Sequence, residues 1–347
     1  MCLKTIFHSG AIQSIACCIP SNAVKLEDQA QQFYNGDIKK AQRIKKSIGL
    51  DTRYIADNQT TTLDLCFQAS KTLLKTSNAP IDVLIFVTQT PDFSQPNNAH
   101  LLHGKLNLSQ NCACFDLNQG CSGYVYGLFL AFMLLSSGAE NILLCVGDTM
   151  SKVLHPNDSN TTPIFGDAGS ATLISNTNAK SYFTLHSDGA GWENIIVPNS
   201  GFRKNPYLSK NYQYPSFLCM DGAEVFNFSI EKEPKAIEEI LQFSQNKIED
   251  IDYIFFHQAN AYIISNIARR LELDVSKAPS ECVGKYGNTS SASIPLAICD
   301  LLSQKREKNL RVILSGFGVG LSWATALIHL DKHTQIFHPI FYNKELE

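Results

Sequence analysis

Short, continuous apolar runs alternate along this chain with longer stretches whose apolar positions recur at helical spacing. The runs over 83–87, 112–117, 142–146, 251–256 and 312–314 predict strands. The stretches over 62–75, 122–136, 231–245, 261–271 and 290–302 predict helices. Such alternation predicts an α/β fold with buried sheets.

The order of elements repeats. Ile81-Asp82-Val83-Leu84-Ile85-Phe86 resembles Ile251-Asp252-Tyr253-Ile254-Phe255-Phe256. Each run is followed by a glycine, a polar residue and a helix, Gly120-Cys121 in one case and Gly287-Asn288 in the other. A short apolar strand follows each helix. The pattern predicts an internal duplication, with one half over 1–175 and the other over 176–330. Residues 331–347 fall outside it and are expected to be a surface extension, packed through Phe337, Ile340 and Phe341.

The chain has 347 residues, enough for a large core. A net charge of -3 gives no sign of a nucleic-acid partner. The eleven cysteines sit mostly within apolar runs and form no Cys-x-x-Cys pair. They fit reduced thiols in a cytoplasmic protein better than a disulfide framework. The N-terminus lacks a signal-like apolar stretch, and the most apolar run, 124–135, is too short to span a bilayer. No local spacing suggests a metal site.

Cys121 stands in Asn118-Gln119-Gly120-Cys121-Ser122-Gly123-Tyr124, between an expected strand and a long apolar helix. A thiol at a helix N-terminus is expected to favour the thiolate, and the flanking glycines admit close approach. His257 ends an apolar strand, where open sheets bind ligands, although a lone histidine is more often a core residue with a satisfied hydrogen bond. Asn288 is either a helix cap or an outward-facing donor. Ser315-Gly316-Phe317-Gly318-Val319-Gly320 has the glycines of a dinucleotide loop, but residues 321–330 read as a strand, where that loop needs a helix. It is therefore expected to be a turn that presents backbone N–H groups to a reacting carbonyl. Cys, His and Asn in that order also occur in papain-like proteases, but Cys-Gly-Ser-Cys-Trp is absent here.

Four segments carry a family resemblance: Gly120-Cys121-Ser122-Gly123, His257-Gln258-Ala259-Asn260, Gly287-Asn288-Thr289-Ser290-Ser291-Ala292-Ser293, and the 316–323 turn. Phe165-Gly166-Asp167 and the segment from Met220 to Phe226 extend it. The chain resembles the ketoacyl-acyl-carrier-protein synthase III family of the thiolase superfamily, in order, over roughly residues 5–330. The resemblance implies a five-layer αβαβα thiolase-like fold of two duplicated halves, and a homodimer. It implies that Cys121 takes an acyl group from acyl-CoA or an acyl-carrier protein. Malonyl-acyl-carrier protein then loses CO₂ and attacks the acyl-cysteine. His257 and Asn288 would stabilise the enolate. Phe317, Gly318 and Val319 would position the reacting groups, and Phe165 and Met220 would line the substrate channel. No cofactor beyond the thioester substrates is implied.

Several positions depart from the family pattern. Arg43 and Ser47 stand where CoA-using members often carry Trp and Arg before the glycine matching Gly49. The neighbouring Lys39, Lys40, Lys45 and Lys46 form either a phosphate-facing or a merely solvated helix face. Tyr262 replaces an entrance Arg, which leaves Arg269, Arg270 and Lys277 as the expected patch for an acidic carrier protein. Val319 replaces a glycine of the turn. Gln95 replaces a residue, often Phe, that closes the acyl pocket from the dimer partner. The leading reading is decarboxylative condensation. The alternative is a same-fold acyltransferase that passes the acyl group to an amine or alcohol.

Overall fold

The computed structural model describes residues 2–77, 79–203 and 208–346. Two mixed sheets form its centre. The first contains β2 (Ala11–Ile19), β3 (Val83–Val87), β4 (Ala113–Leu117), β5 (Asn141–Asp148) and β6 (Ala168–Ser175), in the order β2-β6-β5-β3-β4. The second contains β1 (Leu3–Phe7), β7 (Ser181–Ser187), β8 (Tyr253–Phe256), β9 (Leu310–Gly318) and β10 (Ser322–Leu330), in the order β1-β7-β10-β9-β8.

The two sheets repeat one design. In β2-β6-β5-β3 the successive pairings are antiparallel, antiparallel and parallel. The pairings in β7-β10-β9-β8 follow the same sequence. β4 extends the first sheet beside β3 and has no counterpart beside β8. The chain ends cross over: β1 pairs with β7 of the second sheet, although it begins the N-terminal half.

Five layers result. α4 (Gly123–Ser136) and α7 (Ser293–Leu302) are sandwiched between the sheets. α2 (Thr62–Leu74) and α3 (Asn98–Lys105) cover the outer face of the first sheet. α5 (Gly222–Ser244) and α6 (Ala261–Arg270) cover the outer face of the second. α4 reads GYVYGLFLAFMLLS, apolar on nearly every side, as a helix between two sheets must be. Its Tyr124, Val125, Leu128 and Phe132 join the central core with Ile294 and Ile298 of α7. Removing a large side chain from such a core costs about 2–5 kcal/mol. All five residues of β3 are buried, which explains an unbroken apolar run.

The sequence expectations differ from the structure at several places. The helix expected over 231–245 begins nine residues sooner, at Gly222, where the Asp221 carboxylate accepts the Glu224 N–H (3.2 Å). Pro234 lies inside it. The strand expected over 312–314 runs from Leu310 to Gly318, so Ser315–Gly318 belong to β9 and only residues 319–321 form the turn. α7 starts at Ser293, after a short 3-10 turn at Ser290–Ala292, and Ala292 is its cap residue. β1, β2, β6 and β7 had no counterpart among the expected strands; Ser, Thr and His interrupt their apolar pattern. The tail is not a mere surface extension. Its short strands β11 (Gln335–Ile336) and β12 (Ile340–Phe341) pair in parallel with β2 and complete the edge of the first sheet. None of the eleven cysteines forms a disulfide.

Candidate active site

Cys121, His257 and Asn288 come together on one pocket of roughly 790 Å³, open mouth included. Phe165, Met220, Phe317, Gly318 and Val319 line the same pocket.

Cys121 lies between the end of β4 and the start of α4, and the Gly123 N–H donates back to the Gly120 carbonyl (2.6 Å). Gly318 comes so close that a Cβ there would stand 2.7 Å from both Cβ and Sγ of the cysteine. The closeness brings the Val319 N–H onto the sulfur, along with the cysteine's own N–H and the Ser290 hydroxyl. The Val319 peptide is itself anchored: the Ser322 hydroxyl donates to its carbonyl (2.8 Å). Ser322, Ser122 and Gln119 form a hydrogen-bonded triangle that ties the cysteine loop to the 319–321 turn.

The thiol does not titrate as expected from the helix terminus. Burial pushes the Cys121 pKa up to about 11. The Val319 N–H pulls it down, and the carboxylate of Asp148 adds to the rise. Loss of hydration therefore outweighs the N–H donors in the free protein.

His257 is 2% exposed, and burial lowers its pKa to about 3, so the ring is neutral. Its Nδ1 lies 2.7 Å from Ser293 Oγ. That oxygen also accepts the Gln258 N–H (3.2 Å). The Ser293 hydroxyl proton is thus left for Nδ1, and the network assigns the ring proton to Nε2. The ring meets Phe317 edge-on, with centroids 5.4 Å apart.

Asn288 is no helix cap. Its backbone bridges Phe165: its N–H donates to the Ile164 carbonyl and its own carbonyl accepts from Gly166 N–H, both at 3.0 Å. Its Oδ1 accepts the Ser290 N–H (2.9 Å), which leaves the side-chain NH₂ as the donor end.

Three supporting residues escaped the sequence reading. Asp148, at the end of β5, is fully buried. Its Oδ1 accepts the Gln89 N–H (2.8 Å) and its Oδ2 accepts the Ser291 hydroxyl (2.6 Å). Arg53 donates to the Phe165 carbonyl (3.0 Å) and fixes that wall of the pocket. Gln89 lines the pocket and donates to Asn118 Oδ1 (3.0 Å). A buried acid at a strand end and a glutamine beside the expected strand 83–87 were the available signals. The apolar wall is completed by Met150, Ile164, Leu218 and Val225.

The entrance residues lie elsewhere. Arg43 is exposed on α1 (Ile38–Ile48), whose C-terminal Gly49 packs against Ala261 at the start of α6. Lys45 of this helix is engaged with Glu27 and Asp51. Tyr262 is half exposed and stacks on Phe226 at 5.5 Å. Arg269 donates to Asn266, and Arg270 folds back onto the Ile230 carbonyl (2.8 Å). Gln95 is exposed and forms no part of its own chain's pocket wall.

Two layered sheets around a pair of middle helices, with Cys, His and Asn brought onto one pocket, define a thiolase-type fold. Residues 115–189 match the family described as 3-oxoacyl-[acyl-carrier-protein] synthase III, and residues 241–330 match its C-terminal family. The chain is 40% identical, over 99% of its length and all of the relative's, to a Campylobacter jejuni protein provisionally named 3-oxoacyl-[acyl-carrier-protein] synthase 3. It is 35% identical to a Clostridium perfringens beta-ketoacyl-[acyl-carrier-protein] synthase III, covering 90% of this chain and 96% of that one. The structure superposes on a 3-oxoacyl-(acyl-carrier protein) synthase from Burkholderia xenovorans with a TM-score of 0.92 at 35% identity, covering 98% and 99% of the two chains. The chain belongs to the 3-oxoacyl-[acyl-carrier-protein] synthase III family.

Proposed function

We propose that the protein catalyses a decarboxylative Claisen condensation, with Cys121 as acyl carrier. The observation that carries this reading is the pairing of a thiol with two neutral donors, His257 Nε2–H and the Asn288 amide, on one pocket. Simple acyl transfer needs the thiol and an oxyanion site. Only a reaction that builds an enolate needs two more donors.

In the first step Cys121 attacks an acyl thioester from CoA or a carrier protein. The thiol proton leaves with the departing thiol, which offsets the high pKa of Cys121. The N–H groups of Cys121 and Val319 take the charge of the tetrahedral oxygen. In the second step a malonyl thioester, carried by acyl carrier protein, loses CO₂. Its electron pair moves onto the thioester oxygen, held by His257 and Asn288. Phe317 presents a ring and no cation to the carboxylate, so CO₂ departs into apolar surroundings. The enolate carbon attacks the acyl-cysteine, and the Cys121 thiolate is expelled. A β-ketoacyl thioester remains. The apolar wall from Met150 to Val225 fits an alkyl starter.

Incubation with acyl-CoA, followed by intact mass measurement, should add one acyl group at Cys121. Addition of malonyl-carrier protein should then release CO₂ and a ketoacyl product. Acyl-enzyme without CO₂ release would refute condensation and leave transfer to an amine or alcohol.

A further inference from the structure

On the outer face of the second sheet, away from the Cys121 pocket, the fold assembles a second set of reactive side chains. Cys2, His186 and Glu239 have donor atoms within 4.8 Å of one another. They come from three elements. Leu3 pairs with Leu185 across β1 and β7, so Cys2 falls opposite His186 in the same antiparallel register. Glu239 reaches them from α5. Cys2 Sγ lies 3.0 Å from Glu239 Oε1, and His186 Nε2 lies 2.8 Å from Oε2.

The imidazole is preorganised. It lies flat against Trp323, its cross-strand neighbour on β10, with centroids 4.9 Å apart and planes 5° from parallel. Its Nε2 is shielded from water and close to the carboxylate, yet the angle makes no hydrogen bond. An ion pair of good geometry would not leave that atom unpaired. The carboxylate already holds one cation: Lys4 Nζ is 3.0 Å from Oε1. A cleft lined by Lys4, His186, Lys235, Gln242 and Trp323 gives the group access to solvent.

We propose that Cys2, His186 and Glu239 bind one thiophilic divalent cation of the Zn²⁺ class, with water from the cleft as fourth ligand. The donor set decides the class. One sulfur, one imidazole nitrogen and one carboxylate suit Zn²⁺ or Co²⁺, whereas Mg²⁺ and Ca²⁺ require oxygen-rich shells. On binding, the Cys2 thiol loses its proton to solvent, His186 binds through the Nε2 lone pair, and the Lys4 ammonium is displaced from Glu239. No electron is transferred. The bound ion ties edge strand β1 to α5 across the outer face of the second sheet. Sequence spacing gave no hint, because the three ligands lie at 2, 186 and 239.

The test uses the full chain, freed of metal with a chelator and titrated with Co²⁺ as the visible probe. One equivalent should produce a thiolate-to-cobalt charge-transfer band, which Zn²⁺ should bleach by displacement. Zn²⁺ should also raise the melting temperature. Cys2→Ser should abolish the band, and Cys121→Ala should leave it intact. Lys4→Met removes the competing ammonium and should tighten binding severalfold. Absence of the band, its persistence in Cys2→Ser, or binding unchanged or weakened in Lys4→Met would overturn the proposal. The group would then be an ion-pair network centred on Glu239.

Discussion

Ser293→Ala tests how His257 is made a donor. The variant removes the oxygen that lies 2.7 Å from His257 Nδ1 and that accepts the Gln258 N–H. Two separable losses follow. The first is stability: a buried N–H left without an acceptor costs about 1–3 kcal/mol. The second is tautomer control. With no proton offered to Nδ1, the ring proton divides between the two nitrogens. A net hydrogen bond of about 1–1.5 kcal/mol sets that preference, and 1.4 kcal/mol is about tenfold in population. An even division lowers the Nε2–H fraction from about ten in eleven to about one in two, so decarboxylation should fall about twofold, well short of the 10²–10³ expected when a donor is removed outright in His257→Ala.

The assay separates the steps. Acylation of Cys121 by acyl-CoA is followed by stopped-time mass measurement, and CO₂ release from malonyl-carrier protein is followed on preloaded enzyme. Acylation should keep its rate, because His257 and Ser293 do not touch the sulfur in the hydrogen-bond network. Nitrogen-15 spectra of the imidazole should show protonated Nε2 in the native protein and a mixture in the variant. Ser293→Thr, which keeps the hydroxyl, should restore CO₂ release. Equal losses in acylation and CO₂ release, or a native ring protonated on Nδ1, would refute the assignment.

With the Cys121 pKa near 11, about one thiol in ten thousand is ionised at pH 7, so iodoacetamide labelling of the free protein should rise about tenfold per pH unit up to pH 9; a plateau near pH 7 would contradict the burial effect. Gly318→Ala puts a methyl 2.7 Å from the sulfur, so acylation should fall at least a hundredfold and the urea midpoint should fall too, by the equivalent of about 1–3 kcal/mol; retained acylation would show that the strand yields. Glu233 is fully buried with one oxygen bonded to the Ser315 hydroxyl (2.6 Å), and burial raises its pKa to about 8. A raised carboxyl stabilises the fold below its unfolded value of 4.5, and that stability is lost as pH rises through 8. Glu233→Gln should therefore gain on the native protein between pH 5 and pH 9, by at most about 4–5 kcal/mol in denaturant titrations, and a constant difference would refute the buried-acid reading.

The sequence made the candidate site legible where one residue type breaks a regular pattern. Cys121 interrupts a strand-to-helix step between glycines, and His257 ends an apolar run; both occupy the positions expected of them. Buried parallel strands such as Val83–Val87 were equally plain, being apolar throughout. Strands buried through Ser and Thr were not, because Ser170 and Thr172 satisfy their hydroxyls in the interior and so imitate surface positions in sequence. The thiol's acidity was misjudged for a different reason. The helix terminus is visible in sequence, but the depth of burial and the nearby Asp148 charge are set by the second half of the fold. Gln258 and Ser293, 35 residues apart, show the same limit: a hydrogen bond between a loop and the start of a distant helix leaves no local signal.

The duplication explains why there is one site and not two. Each repeat has a junction leading into its middle-layer helix, at Cys121 between β4 and α4 and at Asn288 between the short helix 281–286 and α7. The junctions therefore face each other across a single pocket. Each is braced by the strand end of the opposite repeat. β5 of the first half ends in Asp148, which clamps Ser291 just after Asn288. β9 of the second half ends in Gly318, which lies against Cys121. These equivalent strand ends carry opposite solutions. The carboxylate holds the asparagine loop rigidly by accepting hydrogen bonds. The bare glycine lets a backbone N–H reach the Cys121 sulfur, which in the proposed reaction changes from thiol to thioester and back. Exchanging the two would place a charge against the nucleophile and leave Ser291 unanchored. The symmetry of the fold is thus broken where, in the proposed reaction, a rigid donor and an accessible nucleophile make opposite demands.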